Sequence, residues 1–391
     1  MAVVSAHWFL RSTRTHKSTG ERVLFASALL AAALTWATLQ LAAATPRASP
    51  ALARSLPAPT PLRTLDADPT GTWAIAFSPD GALLVAAGLD GSLRRWDTTT
   101  GIAGGILHRG RVRSADVFPQ VVALSRSAGL VALGDADGGV VVWDMATGRQ
   151  LPGPPRADQP VSALAVAPKS GPIAVAHADG AAELWDARRG QAVWRVAREG
   201  TATSMVFSPN GRTLAMGLAD GGVVLFDAPT GRLVGTLDAA QPALALAFAP
   251  DGRNLATAEA ESVTLWDTAT GEALFVLPVA RVRSISVSPS GTALLVGTID
   301  GEVGWLDART GTLLDAVQVP GPLARIVVDA RRGTAATVSI VPDSVDPTTH
   351  LATEVRLWDA DPTGRRRHGQ AAPPASPDAA RPAHAGRAAN D

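Results

Sequence analysis

The sequence predicts an all-β fold of seven repeated units. Three observations carry this expectation. A Trp-Asp pair or a close variant recurs about every forty residues. An Asp-Gly step precedes most of those aspartates by seven residues. A Ser-Pro-Asp-Gly step or a variant closes several strands further upstream.

The recurring pairs are Trp96-Asp97, Trp143-Asp144, Trp185-Asp186, Phe226-Asp227, Trp266-Asp267, Leu306-Asp307 and Trp358-Asp359, with successive aspartates 47, 42, 41, 40, 40 and 52 residues apart. Most are followed by a turn ending in glycine, as in TTTG, MATG and ARTG, because a tight reversal needs a residue that tolerates positive φ. Asp90, Asp137, Asp179, Asp220 and Asp300 each precede a glycine; Ala260 and Ala352 stand at that place in the other two units. Asp-Gly between runs of β-forming residues predicts a two-residue hairpin of type I′, with positive φ at both central positions. The third signal closes a strand at residues 78–81, 208–211, 249–252 and 288–291, where proline cannot donate to a ladder. The strands are short and rich in apolar and small residues, as expected where sheets pack on both faces.

At this point a resemblance becomes specific. FSPDG, then AAGLDG, then LRRWDTTTG (residues 77–101) resemble WD-repeat proteins of the bacterial type, and the likeness covers residues 62–364. It implies a seven-bladed β-propeller with four-stranded antiparallel blades around a channel. In that family the last blade borrows a strand from the start of the chain, and residues 62–65 are the segment available. The family's Gly-His ahead of the first strand is missing from every unit. The turn aspartates are therefore expected to cap their own hairpins through backbone amides, leaving weaker blades. A second resemblance, of residues 297–316 to quinoprotein-like propellers with an LDA-x-TG repeat, implies an envelope assembly scaffold or a quinone-dependent enzyme. Those enzymes have eight blades.

Ahead of the repeats, residues 23–44 carry no charge, and a helix of that length spans about 33 Å, matching a bilayer core of about 30 Å. Arg11, Arg14, Lys17 and Arg22 precede it against Glu21, which assigns residues 1–22 to the cytoplasm and the rest to the outer side. The length favours an uncleaved anchor in the cytoplasmic membrane, whereas Ala42-Ala43-Ala44 would serve as a cleavage site for secretion. Residues 45–61 read as a Pro/Ala linker and residues 365–391 as a disordered tail.

Composition excludes several functions. The 35 basic and 35 acidic residues balance, so nothing draws the chain toward nucleic acid. With no cysteine there is neither a disulfide nor a thiolate metal site. His108, His177 and His350 are the histidines of the repeat region. His177 occupies a slot that other units fill with Gly88, Asp135, Leu218 and Thr298, so it reads as a surface residue rather than a catalyst. Asp135 and Asp137 faintly resemble the start of a calcium loop, but the required glutamate is missing. No catalytic, cofactor or metal residue is predicted, and the fold is expected to be a monomeric, non-enzymatic protein-binding scaffold.

Candidate partner-binding residues come from the two long intervals, around residues 108–120 and 341–353. Loops longer than their turn requires are uncommon unless they serve a function or are disordered. Within the family both fall on the top face, in the sector of blades seven, one and two. The first offers Arg109, Arg111, Arg113 and Phe118; the second offers Asp343, Asp346 and His350. Arginine and aromatic residues are common interface anchors. Trp73 and Arg283, at matching places in two first strands, are expected at the channel mouth.

Overall fold

The computed structural model describes residues 60–361 apart from 69–71, 79, 89–91, 109–118, 125–128, 136, 145–146, 169–170, 198–199, 330 and 343–350. The described residues form strands and turns, arranged as seven four-stranded sheets. Blade 1 contains β2 (Thr72–Phe77), β3 (Leu83–Gly88), β4 (Leu93–Asp97) and β5 (Ala103–His108). Blade 2 contains β6 (Pro119–Leu124), β7 (Leu130–Asp135), β8 (Val140–Asp144) and β9 (Gln150–Leu151). Blade 3 contains β10 (Val161–Val166), β11 (Pro172–His177), β12 (Ala181–Asp186) and β13 (Gln191–Ala197). Blade 4 contains β14 (Ala202–Phe207), β15 (Thr213–Leu218), β16 (Val223–Asp227) and β17 (Leu233–Leu237). Blade 5 contains β18 (Ala245–Phe248), β19 (Asn254–Ala258), β20 (Ser262–Asp267) and β21 (Ala273–Pro278). Blade 6 contains β22 (Val282–Val287), β23 (Ala293–Thr298), β24 (Glu302–Asp307) and β25 (Leu313–Gln318).

Blade 7 runs β26 (Leu323–Val328), β27 (Thr334–Pro342), β28 (Leu351–Asp359) and then β1 (Arg63–Asp68). The borrowed strand is therefore real: Arg63 pairs with Leu357 and Leu65 with Val355, antiparallel. The first strands touch one another from blade to blade around the whole circle, including β26 against β2. They form the wall of the channel, and the ring is closed.

Apolar side chains join the blades face to face. Leu214 and Phe226 of blade 4 pack with Ala174 and Leu184 of blade 3. Leu65, Val338 and Leu357 of blade 7 pack with Ile75, Phe77, Leu84 and Trp96 of blade 1. Burying each leucine or phenylalanine contributes about 1.5–3 kcal/mol. Alanine and glycine recur on the second strands because neighbouring sheets must approach closely.

Each recurring aspartate closes the turn that follows it. Asp97 Oδ1 accepts the amides of Thr99 and Thr100 at 2.9 and 2.7 Å, and the Gly101 amide returns to the Asp97 carbonyl at 2.8 Å. Asp267 and Asp307 repeat the pattern. In the Ser-Pro-Asp-Gly turn, Ser78 Oγ accepts the Leu83 amide at 2.9 Å and donates to Asp80 at 2.6 Å. Hydrogen bonds from Thr100 hold the Asp97 carboxyl below the ordinary 3.8. Asp80, through the Ser78 hydroxyl, and Asp267, through the Thr270 amide, are lowered likewise. Protons thus bind more tightly to the unfolded chain than to the folded one. The carboxylate contribution is complete above pH 3.8 and declines as pH falls below it toward the folded values. The thermal midpoint should hold level near neutrality and drop below about pH 4. Calorimetry across pH 7 to 3 would show this; a midpoint that rises on acidification would contradict it.

The Asp-Gly turns differ from expectation. Among the described residues no aspartate has positive φ; Gly138, Gly180, Gly221 and Gly301 do, at 79°, 86°, 98° and 85°. Gly180 N–H donates to the His177 carbonyl and Gly221 N–H to that of Leu218. These are three-residue loops, a type I turn followed by a left-handed glycine, not two-residue type I′ turns. Both designs want Asp-Gly, so the dipeptide does not separate them. Blade 5, which lacks the dipeptide, has the tighter turn: Glu259 and Ser262 close a two-residue loop through an N–H···O bond of 2.9 Å.

The aspartates also cap less uniformly than expected. Asp179 Oδ1 accepts the Ala181 amide at 3.0 Å. Asp137 instead pairs with Arg156 at 3.1 Å, Asp300 with Arg281 at 2.7 Å, and Asp220 makes no side-chain hydrogen bond. Asp90 lies outside the described residues. Asp135 and Asp137 are taken up by Arg156 and by backbone amides, so their carboxylates are already satisfied by the turn.

Candidate partner-binding face

The loops leading into the first strands and the hairpins between second and third strands share one end of the ring. Two features mark the sector of blades 7, 1 and 2. The connection from β5 to β6 spans residues 109–118, so Arg109, Arg111, Arg113 and Phe118 lie outside the described residues between two defined strand ends. Asp343, Asp346 and His350 likewise lie outside them, in the sequence between β27 and β28.

That hairpin is not a tight turn. Its strands are nine residues each, against six and five for β3 and β4, and pairing continues through Ile340↔Thr353, Val341↔Ala352 and Pro342↔Leu351. At about 3.4 Å per residue the added length carries the hairpin roughly 10 Å further. Its base is fixed to the next blade, because the Thr72 amide donates to Thr353 Oγ1 at 2.9 Å, both residues being buried.

Trp73 and Arg283 occupy the same structural position. In β2 the register slips between Thr72 and Ala74, and in β22 between Val282 and Ser284, so each is the extra residue of a β-bulge. The same bulge recurs in β6, β10, β14 and β26, so it belongs to the repeat and re-aims one side chain in each of these strands. Trp73 is described through its backbone. Arg283 is exposed on a strand whose other side chains are buried, which places it on the channel wall near the top. The bond between Arg281 and Asp300 fixes the loop just above it, where Arg281 is the one described non-glycine residue with positive φ, at 59°.

Sequence reading missed Arg325, the third residue of β26. It too is exposed on an innermost strand. The Ile326 amide donates to Ser284 Oγ at 3.0 Å, which ties the residue after Arg325 to the residue after Arg283. His177 was read as a surface residue and is instead buried, 6% exposed, with Nδ1 3.2 Å from the Gln159 carbonyl oxygen. Its slot is buried in blades 4 and 6 as well, at Leu218 and Thr298, so the variety of residues that fill it does not mark a surface position.

The missing family histidine leaves partial networks. Trp266 Nε1 donates to Thr257 at 3.1 Å and Trp358 Nε1 to Thr337 at 2.9 Å. Among the described residues no group of His, Asp or Glu stands where it could hold a metal ion.

Residues 59–97 match the family model of the WD domain, G-beta repeat, and residues 113–298 match that of the nucleolar protein 10-like N-terminal domain, a β-propeller. A comparison with the curated proteins finds no match. Propellers of the WD type generally mediate protein–protein interaction and are typically non-enzymatic scaffolds.

Proposed function

We propose that the chain is a non-enzymatic scaffold that captures a protein partner at the top of blades 7, 1 and 2. The observation that supports this reading best is the elongated β27–β28 hairpin, whose strands run to nine residues each. The segment between β5 and β6 supplies Arg109, Arg111 and Arg113, and the segment between β27 and β28 supplies Asp343 and Asp346. A propeller needs neither for closure. The partner would present complementary charge to both and an apolar group to Phe118 and Trp73.

The uncharged run at residues 23–44, with Arg11, Arg14, Lys17 and Arg22 ahead of it, supports display on the outer side of the cytoplasmic membrane. No helix among the described residues is long and apolar enough to cross a membrane; the run itself lies outside them. Seven blades rather than eight speak against a quinone-dependent dehydrogenase.

Crosslinking of the full-length chain in membranes, followed by mass spectrometry, tests the reading. Replacing Arg109, Arg111 and Arg113 by Ala should abolish capture and leave the thermal midpoint within about 2 °C, because exposed substitutions usually cost under about 0.5 kcal/mol. Unchanged capture by that variant would discard the site.

A further inference from the structure

The channel wall is electrically one-sided. Its seven innermost strands, β2, β6, β10, β14, β18, β22 and β26, contain Arg283 and Arg325 and no Asp, Glu, Lys or His. Neither arginine makes an ion pair or a side-chain hydrogen bond. This contrasts with Arg156, Arg195 and Arg281, each of which meets a carboxylate elsewhere on the ring.

The two are held together by the backbone. They lie on adjacent innermost strands, near the end where the chain enters each blade, and the Ile326–Ser284 bond fixes their relative height. Both residues are exposed on otherwise largely buried strands, yet the wall crowds their charges. Desolvation lowers the affinity of Arg283 for its proton, and desolvation followed by the charge of Arg283 lowers that of Arg325. Arginine stays protonated all the same, so the structure keeps two like charges side by side without compensation. On the other flank of β26, the matching end of β2 carries Thr72, whose buried Oγ1 has no partner.

We propose that Arg283 and Arg325 form a seat at the channel mouth for a compact oxyanion, a phosphate or carboxylate group received between two planar N–H forks. Guanidinium groups match such anions bidentately and are less strongly hydrated than an ammonium. Seating the anion removes the repulsion between the arginines and replaces the water that the wall excludes. The seat uses no residue of 109–118 or 343–350, so its test is distinct from that of partner capture there.

Calorimetric titration of the full-length protein with inorganic phosphate, at ionic strength held constant with chloride, tests the seat; succinate and acetate in parallel arms separate a phosphate source from a carboxylate one. Saturating phosphate or succinate should raise the thermal midpoint by about 2 °C or more. Arg325→Gln and Arg283→Gln should each weaken binding at least about tenfold. Arg232→Gln, on an exposed turn at the opposite end of the ring, should leave binding unchanged. Without anion, Arg325→Gln should melt at or above the wild-type temperature, since it removes the repulsion. Equal anion effects in wild type and in the Arg283→Gln/Arg325→Gln variant would overturn the proposal. So would a loss of folding in Arg325→Gln.

Discussion

Removing residues 61–67 is expected to open the ring. The segment contributes the outermost strand of blade 7, and its loss deletes the β1–β28 ladder, including the bond from the Leu62 amide to the Leu357 carbonyl at 2.7 Å. It deletes Leu65, 1% exposed within the cluster that joins blade 7 to blade 1. It also deletes Arg63, whose Nη1 donates to the Thr100 carbonyl of blade 1 at 2.6 Å. Truncating a buried leucine alone costs about 2–5 kcal/mol, against a whole-domain stability of roughly 5–15 kcal/mol. Deletion should therefore abolish the cooperative transition and leave β28 as an unpaired edge that promotes association. Leu65→Ala should keep the ring but lower the midpoint by roughly 3–8 °C. Calorimetry with size-exclusion chromatography reads both. Cooperative melting of the deletion variant near the wild-type temperature would refute closure through β1.

Much of the fold was legible because its signals are local. A Trp-Asp pair, a glycine four residues on and a serine-proline step each report a turn, and seven copies average out the noise of any one. Closure was legible through the family resemblance, which implies that the last blade borrows a strand from the start of the chain, and residues 62–65 were the segment available. The hairpin geometry was not legible, because Asp-Gly serves a type I turn with a trailing left-handed glycine as well as it serves type I′. Arg325 escaped for a different reason. In the run LARIVV one arginine among apolar residues reads as a strand that tolerates a charge; its meaning depends on the blade-to-blade neighbour, Arg283, forty-two residues away in sequence. Trp73 and Arg283 were matched by position, and the shared bulge supplies the physical basis. His177 was misjudged because a slot that accepts varied residues was read as exposed, whereas Leu218 and Thr298 at the matching places are buried as well.

Gly81→Ala is the substitution expected to damage the same seam from the other side. Gly81 has φ of +69°, and a Cβ there would lie 2.1 Å from Oδ2 of Asp329 in blade 7. Asp329 is 3% exposed and cannot withdraw freely, because its carboxylate accepts the amides of Arg331 at 3.0 Å and Arg332 at 2.8 Å. Arg332 in turn reaches into blade 1, donating to Thr99 Oγ1 at 3.0 Å and to the Asp80 carbonyl at 3.3 Å. The change therefore combines a left-handed backbone strain of about 1–3 kcal/mol with a displaced buried carboxylate. Gly211→Ala provides the contrast: its φ is similar, at +74°, but its nearest neighbour is Pro168 at 3.5 Å, so it carries the backbone strain alone. Gly81→Ala should cost about 2 kcal/mol more than Gly211→Ala by denaturant titration. Asp329 stands where other blades have Ser78, Ser208 and Ser288, each closing the same five-residue loop through its amide. Replacing it by serine in the Gly81→Ala background should recover most of that difference, since a hydroxyl is shorter and accepts the same kind of amide bond. A coupling energy near zero in that double-mutant cycle would mean that the two blades do not meet through Gly81 and Asp329.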